Sequence, residues 1–190
     1  METTMIILDL EATCWGRNNK HLGNKTLKNK IGNQEIIEIG ALKIDPDLNT
    51  AIDSFQCIVK PKLNPELSTF CKDLTGITQS DISNAESFDR VFAKLSLWAS
   101  TETSFASWGS FDRNLLKLEF DRNNIESPTW FKWHHNIKKV YSNICNPAHK
   151  KSTLRSAINH LNLEFVGTPH SAYADCVNAW KVYKTLMDMM

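Results

Sequence analysis

The feature that most constrains this chain is a short apolar run, Met5–Leu8, that ends in the acidic segment Asp9-Leu-Glu11. Consecutive apolar residues of this kind are typical of a buried strand. Side chains on a strand alternate between its two faces, so Asp9 and Glu11 project to the same side. Two neighbouring carboxylates are costly without a cation, and their hard oxygen atoms suit Mg²⁺ or Mn²⁺. An Asp-x-Glu sequence is common, however, so the pair alone does not establish a metal site.

Three further segments have the composition of strands, namely 34–44, 54–59 and 104–108. The first two are expected to form a hairpin through the turn residues Asp45-Pro46-Asp47. The order of three strands, a helix, a fourth strand and further helices predicts an α/β domain with a mixed sheet. We therefore expect residues 1–190 to form a single domain of this class.

Apolar residues at helical spacing predict several helices. One is expected to start at Thr78, where Asp81 completes a capping box, and to continue to Trp98. Three others are predicted after Gly109, over residues 152–163, and after Pro169. Residues 128–150 match neither the strand period nor the helix period.

The net charge is close to zero, but the charges are unevenly distributed. The chain has 22 basic and 21 acidic side chains, which gives a formal net charge of +1. Two stretches, 12–34 and 127–163, contain basic residues and no acids. Such stretches are often only solvated surface, yet they are also compatible with a nucleic acid that passes over two basic edges.

The cysteine pattern and the hydropathy bear on the cellular setting. The five cysteines have no close pairs, which argues against a disulfide framework or a zinc ribbon. The apolar run near the N-terminus is too short for a signal peptide, and no stretch approaches the length of a membrane span. We therefore expect a cytoplasmic protein without a membrane partner; the sequence identifies no particular protein partner.

Three more candidate site residues follow predicted strands or loops. Asp112 comes just after Gly109 at the start of a helix, and ligands gather at strand ends in α/β sheets. His170 and Asp175 are five positions apart, about 140° out of phase on a regular helix. They can converge if His170 lies on the entering loop and Asp175 in the first turns. Each residue also has an ordinary explanation: Asp112 as a helix-start acid that satisfies backbone N–H groups, His170 as a loop histidine and Asp175 as a helix acid.

Together these segments resemble a known enzyme family. The stretches LDLEATCW, SWGSFDRNLL and GTPHSAYADCVNAW are similar to the three exonuclease motifs of the DEDDh superfamily. Between them, QEIIEIGALKI and FQCIVKPKLNPELSTFCKDLTGITQSDI resemble the enhancer-of-RNAi and histone-mRNA 3′-exonuclease branch. The resemblance covers nearly the whole chain. It implies an α/β, ribonuclease-H-like fold with a central mixed five-stranded sheet flanked by helices.

The resemblance also implies a chemistry for the five candidate residues. Asp9, Glu11, Asp112 and Asp175 would bind two Mg²⁺ or Mn²⁺ ions, and His170 would be the general base. The expected reaction is attack of water on the last phosphodiester, with release of a nucleoside 5′-monophosphate. The expected partner is single-stranded nucleic acid with a free 3′ end. RNA is favoured only because the middle segments resemble an RNA-processing branch.

Further positions are predicted to contact the substrate. Leu10, Ala12 and Thr13 would meet the terminal nucleotide, and Leu74 and Ile77 would form a wall of its pocket unless they are simply core. Trp15 would stack on a base, or else anchor a loop as a buried side chain. The remaining candidates are three basic residues that would contact phosphates, Lys150, Lys151 and Arg155.

Three alternatives remain open from the sequence. Catalytic residues of this kind do not distinguish sugars, so a DNA-directed proofreading or repair exonuclease is the first. A non-catalytic nucleic-acid-binding module of the same fold is the second, although all five catalytic positions are present. The third is a small-molecule metallohydrolase, which would also use clustered acids.

Overall fold

A six-stranded mixed sheet organises the part of the chain that the structure describes. The structure is a computed structural model and describes residues 5–16, 30–45, 49–145 and 152–190. The strands, numbered along the chain, are β1 (Met5–Ala12), β2 (Ile36–Asp45), β3 (Thr50–Lys60), β4 (Glu86–Ser87), β5 (Ser104–Ser107) and β6 (His134–Asn136). Their order across the sheet is β4-β3-β2-β1-β5-β6.

The pairing is antiparallel on one side of β1 and parallel on the other. β1 pairs antiparallel with β2, and β2 pairs antiparallel with β3, which confirms the predicted hairpin. The pairs β1–β5, β5–β6 and β3–β4 are parallel. Residues 46–48 of the predicted turn lie outside the described residues. The α/β class and the mixed sheet are thereby confirmed.

Helices cover both faces of this sheet. The described α-helices are α1 (Thr69–Thr75), α2 (Gln79–Asn84), α3 (Phe88–Trp98), α4 (Phe111–Asn123), α5 (Ile137–Ile144), α6 (Leu154–His160) and α7 (Ala172–Met187). Two 3₁₀ turns, Ile31–Asn33 and Thr129–Lys132, complete the regular structure. No helix among the described residues is both long and apolar enough to cross a membrane.

Alternation along β1 divides the core into two layers. Ile6, Leu8 and Leu10 face one cluster, which includes apolar residues of α3 and α4. Ile7 faces the other cluster, which includes residues of α5, α6 and α7. Burying each of these aliphatic side chains contributes roughly 1.5–3 kcal/mol. Because side chains alternate, Asp9 and Glu11 belong to the same face as Ile7, the face covered by α7.

The sheet has six strands in the described part of the chain, so the predicted count of five is wrong. β4 has two residues and β6 has three, and neither is long enough to show a strand period. The helix predicted from Thr78 to Trp98 is also two helices. The Thr78–Asp81 capping box is present, but Ala85 takes an extended conformation and ends α2, and α3 begins at Phe88.

Candidate active site

β1 carries the first two acids beyond the end of its parallel neighbour. The β1–β5 pairing stops where Ile7 faces Ala106, while β1 continues to Ala12. Asp9 and Glu11 therefore lie past the carboxyl end of β5, with β2 on their other side. Asp9 is half-buried and Glu11 is 8% exposed. This confirms that the strand delivers both carboxylates to one end of the sheet, where a crevice is expected in α/β folds.

The turn after β5 brings in the third acid. Gly109 has a φ of +95°, which side chains other than hydrogen rarely permit, and α4 begins at Phe111. Asp112 lies in the first turn of α4 and is 4% exposed. Its carboxylate accepts hydrogen bonds from the Ser107 hydroxyl and the Leu10 N–H, and these contacts lower its pKa against the effect of burial. Asp112 is thus held against β1 across the end of β5.

The loop before α7 and its first turn supply the last two residues. His170 precedes the helix with a φ of +63°, and Asp175 lies in the first turn of α7. The His170 N–H donates to Asp175 Oδ2 at 3.2 Å. A positive φ at a non-glycine residue is strained and often marks a functional position. The geometry confirms that the two residues converge because only Asp175 is on the helix.

Three of the predicted residues form a cluster that could hold a metal ion. One ligand atom from each of Glu11, His170 and Asp175 lies within 4.8 Å of the others. Burial, followed by the charges of Asp175, Glu38 and Asp112, raises the pKa of Glu11 to about 9. A carboxyl group with so many acidic neighbours ionises readily only when a cation compensates its charge.

The other acids show the same electrostatic pattern. Burial raises the pKa of Asp9 well above its usual value, and the nearby charges of Asp112 and Asp175 raise it further. Burial also raises the pKa of Asp112, to about 7. The pKa of Asp175 is raised mainly by burial, against the hydrogen bond from the His170 backbone. All four acids therefore share one partly desolvated site with His170.

The predicted substrate contacts near the end of β1 have side chains that are buried in the protein. Leu10 and Ala12 are buried in the core, and Thr13 is 2% exposed, with its hydroxyl accepting from the Glu35 N–H at 3.0 Å. The Thr13 N–H also donates to the Glu35 carbonyl at 2.9 Å, and the Thr13 carbonyl accepts from Gln34 Nε2 at 3.1 Å, so its main chain is held within the fold as well. Trp15 is 4% exposed, which favours the loop-anchor interpretation over base stacking because its ring faces are covered.

The remaining predicted contacts have different surroundings. Leu74 is half-buried against a small core cluster to which the buried Ile77 belongs. Arg155 is exposed, lies 5.3 Å from the Phe165 ring centroid, and its charge lowers the pKa of Asp175. Arg155 thus stands beside the acidic site. Lys150 and Lys151 lie outside the described residues.

Sequence reasoning missed several residues that lie beside the acids or next to the segment after β1. Phe70 and Phe111 are about 40% exposed, at the start of α1 and just before Asp112. Phe111 also lines a groove of about 710 Å³ together with Lys138 and Lys139. Aromatic residues in apolar stretches usually belong to the core, so only the structure reveals these two as exposed. The buried Glu38 was also missed, although an acid inside a strongly apolar strand is itself a signal.

Comparison with known proteins gives consistent matches. The family model described as "RNase_T: Exonuclease" matches residues 6–183. The chain is 30% identical over 192 residues to ERI1 exoribonuclease 3 of Homo sapiens, covering 95% of this chain and 52% of that protein. It is 28% identical over 184 residues to 3′-5′ exoribonuclease 1 of Homo sapiens, covering 93% of this chain and 50% of that protein. This chain therefore spans about half the length of these curated relatives.

Solved structures give the same result. The nuclease domain of 3′hExo, a DEDDh family member solved with bound rAMP, superposes with a TM-score of 0.82 at 26% identity. That match covers 97% of this chain and 92% of the other chain. E. coli exonuclease I, in complex with a dT13 oligonucleotide, superposes with a TM-score of 0.71 over 97% of this chain and 41% of its own. At 15% identity, the second likeness concerns the fold alone.

Proposed function

Since the chain belongs to the exonuclease family, we propose that it is a divalent-cation-dependent 3′–5′ exonuclease acting on single-stranded nucleic acid, with RNA preferred. The products would be nucleoside 5′-monophosphates, and residues 1–190 would act as one exonuclease domain. The observation that carries this proposal is the meeting of four carboxylates and one imidazole at the end of β1. They come from three separate parts of the chain, β1, the start of α4 and the start of α7.

The donor set fits a hard divalent cation. Asp9, Glu11, Asp112 and Asp175 offer carboxylate oxygens, and burial and mutual repulsion raise the pKa of each. Such a cluster is stable in its ionised form only when positive charge is present. Oxygen-rich sites of this kind favour Mg²⁺ or Mn²⁺, and two ions are consistent with four acidic ligands. These four residues would hold the ions, with Asp9 at the centre of the group.

The proposed reaction is in-line attack of water on the terminal phosphodiester. Bound divalent cations supply a lowered water pKa and compensate the negative charge that develops on the phosphate and the leaving oxygen. His170 accepts the proton of the attacking water, because an imidazole can take up a proton near neutral pH. Its exposed position on the loop before α7 leaves the ring open to solvent. Asp175, which accepts the His170 N–H, fixes the backbone that carries this base.

The 3′ end of the substrate requires a pocket that holds one nucleotide. Its floor would be formed by the segment that contains Leu10, Ala12 and Thr13, and part of its wall by Leu74 and Ile77. The exposed rings of Phe70 and Phe111 are better placed to stack on bases than the buried Trp15. Stacking on aromatic residues is largely independent of base identity, as an exonuclease requires.

The remainder of the nucleic-acid substrate would lie along a basic surface of the protein. Phe111, Lys138 and Lys139 all line the groove of about 710 Å³. The charge of Arg155 lowers the pKa of Asp175, so Arg155 would contact phosphates close to the acids. Lysine and arginine contacts to phosphates supply affinity that does not depend on sequence. Lys150 and Lys151 remain predicted phosphate contacts.

RNA is favoured over DNA because the relatives quoted above are named exoribonucleases. The nucleotide in the 3′hExo nuclease domain is also a ribonucleotide, rAMP. All five cysteines are free thiols, which is consistent with the cytoplasmic location that we propose.

A direct test is a time course on matched 5′-labelled single-stranded RNA and DNA with Mg²⁺ or Mn²⁺. A descending ladder that disappears with EDTA and in Asp9→Asn would establish a metal-dependent 3′–5′ reaction. Faster shortening of RNA would establish the sugar preference, and faster shortening of DNA would overturn it. Intact binding without a ladder under either metal would instead indicate a non-catalytic binding module.

A further inference from the structure

Helix α7 carries Asp175 and follows the loop that holds His170, yet its N-cap residue contributes no capping side chain. The N-cap is Ser171, and its hydroxyl makes no cap hydrogen bond. The first N–H groups of a helix have no acceptor within the helix, so another group must satisfy them when they are buried. Here the Ala172 N–H donates to Glu38 Oε2 at 3.0 Å. A residue on β2 therefore caps the helix across a sequence separation of 134 residues.

Glu38 is itself held in one orientation. It is 4% exposed, and its second oxygen, Oε1, accepts from Gln56 Nε2 at 2.7 Å. Gln56 lies on β3, where it faces Gly40 in the β2–β3 register. The two carboxylate oxygens are thus engaged by separate donors, one on the sheet and one on the helix. This arrangement makes Glu38 a fixed link between the sheet and α7.

The link lies directly beside the active site. In the β1–β2 register, Glu38 faces Glu11 and Gly40 faces Asp9. A Cβ atom at Gly40 would stand 2.4 Å from the Ala172 carbonyl carbon, so the absent side chain allows α7 to approach the sheet closely. Gly40 therefore permits the contact, and Glu38 fixes its position.

We propose that Glu38 is a positioning residue whose carboxylate caps α7 and thereby sets the place of His170 and Asp175. The inference deepens the proposed function and rests on it. His170 lies two residues before the capped N–H, and Asp175 lies three residues after it. Misplacement of a reacting group by about 1 Å can slow catalysis about 100-fold. A substrate-binding surface elsewhere is not affected by such a shift.

Glu38→Ala removes the cap, whereas Glu38→Gln preserves it. A glutamine at this position can accept from the Ala172 N–H through its carbonyl oxygen. Its amide can then donate to Gln56 once the Gln56 amide turns over. We expect Glu38→Ala to reduce kcat about 10- to 100-fold with little change in the KM for RNA, and Glu38→Gln to stay within about threefold of the parent.

Two measurements do not depend on nuclease activity. Hydrogen exchange of the Ala172 amide, followed by NMR, should accelerate at least about tenfold in Glu38→Ala and stay slow in Glu38→Gln. The Kd for Mn²⁺, measured calorimetrically without nucleic acid, should rise about tenfold in Glu38→Ala alone. If Glu38→Ala does not fold, Glu38→Met keeps the volume without an acceptor and takes its place.

Glu35→Ala is the matched control. Glu35 is also a buried glutamate that precedes β2 and accepts backbone hydrogen bonds, but its partners are in the loop after β3. This variant should lose thermal stability while the Ala172 exchange, the Mn²⁺ affinity and the kcat stay at parental values. Identical changes in both variants would overturn the positioning role. So would a Glu38→Gln variant as impaired as Glu38→Ala, since charge rather than capping would then be decisive.

The nuclease function and the positioning role of Glu38 can be tested separately. If the parent protein shortens no oligonucleotide, the proposed function fails, while amide exchange and Mn²⁺ binding still decide the role of Glu38. If the parent is an active nuclease and Glu38→Ala leaves exchange, Mn²⁺ affinity and kcat unchanged, only the positioning role is wrong.

Discussion

Two buried glutamates, Glu35 just before β2 and Glu11 on β1, have opposite surroundings. Glu35 is 5% exposed and accepts from the backbone N–H groups of Lys62, Leu63 and Asn64 at 2.7–2.8 Å. Glu11 is 8% exposed and faces other acids, whose charges help to raise its pKa to about 9. The Glu35 carboxylate has hydrogen-bond donors within the protein, whereas the negative charge of Glu11 requires a cation to compensate it.

This difference separates structural acids from functional ones. A buried carboxylate surrounded by N–H donors compensates for its lost hydration and stabilises the segment that supplies the donors. A buried carboxylate surrounded by other carboxylates destabilises the protein until a cation arrives. Glu35 therefore stabilises the loop after β3, whereas Glu11 fits the proposed cation site. The distinction yields predictions in which activity and stability change independently.

The largest expected effect is the loss of activity in Asp9→Asn. Asp9 lies among Glu11, Asp112 and Asp175, so an amide in its place would remove a central ligand of the proposed metal site. We expect the rate to fall about a thousandfold or more, as for loss of a group that stabilises transition-state charge. The metal-free melting temperature should stay the same or rise, because one of several repelling acids is gone. Single-turnover kinetics and calorimetric melting would check both, and a large loss of stability would contradict the functional assignment of this acid.

Glu35→Ala should produce the opposite result. Its loss leaves several backbone N–H groups in the loop after β3 without an acceptor, and each unsatisfied group costs about 1–3 kcal/mol. We expect the free energy of unfolding to fall by roughly 3 kcal/mol or more, with kcat unchanged well below the melting temperature. Urea unfolding monitored by circular dichroism gives the first value. A rate loss comparable to that of Asp9→Asn would remove the distinction between the two acids.

His170→Ala tests whether the imidazole acts as a base or as a metal ligand. The general-base assignment predicts a rate about 100-fold lower, with Mn²⁺ affinity close to that of the parent. Titration of Mn²⁺ into the variant measures the second quantity. Since His170 lies within the 4.8 Å cluster with Glu11 and Asp175, a large loss of Mn²⁺ affinity would show that it is a ligand instead.

Much of this site could be predicted from sequence because strand and helix periods are local. The alternation in β1 placed Asp9 and Glu11 on one face, and the loop before α7 allowed His170 and Asp175 to converge. The resemblance to the DEDDh exonucleases and to the enhancer-of-RNAi branch is confirmed by the family match and by the relatives. The first of these results rests on residues that are close together in the chain, and the second on motifs spread over nearly its whole length.

The missed features depend on contacts between distant segments. Glu38 caps a helix 134 residues away, and no local pattern identifies that partner. The exposure of Phe111 and the burial of Trp15 are set by packing, which residue type does not determine. β4 and β6 form only because a neighbouring strand offers hydrogen-bonding groups, so two or three residues suffice.

The smallest expected effect is a pH dependence of the free energy of unfolding. Bound metal ions should abolish this dependence. Burial is the main cause that raises the pKa of Glu11 to about 9 and that of Asp112 to about 7. Between its usual and its raised pKa, each acid binds more protons in the folded state than in the unfolded state. The free energy of unfolding therefore decreases as pH rises. His134 has the opposite effect on the free energy of unfolding, because burial lowers its pKa from 6.5 to about 4. This effect is confined to pH values below 6.5.

The informative range is thus pH 6.5 to 8, where the acids change the free energy of unfolding and His134 does not. We expect the melting temperature of the EDTA-treated protein to fall across this range, by about 2–4 °C for each kcal/mol lost. Saturating Mg²⁺ should stabilise the protein more at pH 8 than at pH 6.5, because bound cations compensate the ionised acids. Glu11→Gln should flatten the metal-free slope, whereas Glu35→Ala should lower the whole curve and keep the slope. A slope unchanged by Glu11→Gln would mean that Glu11 is already compensated within the fold, as Glu35 is.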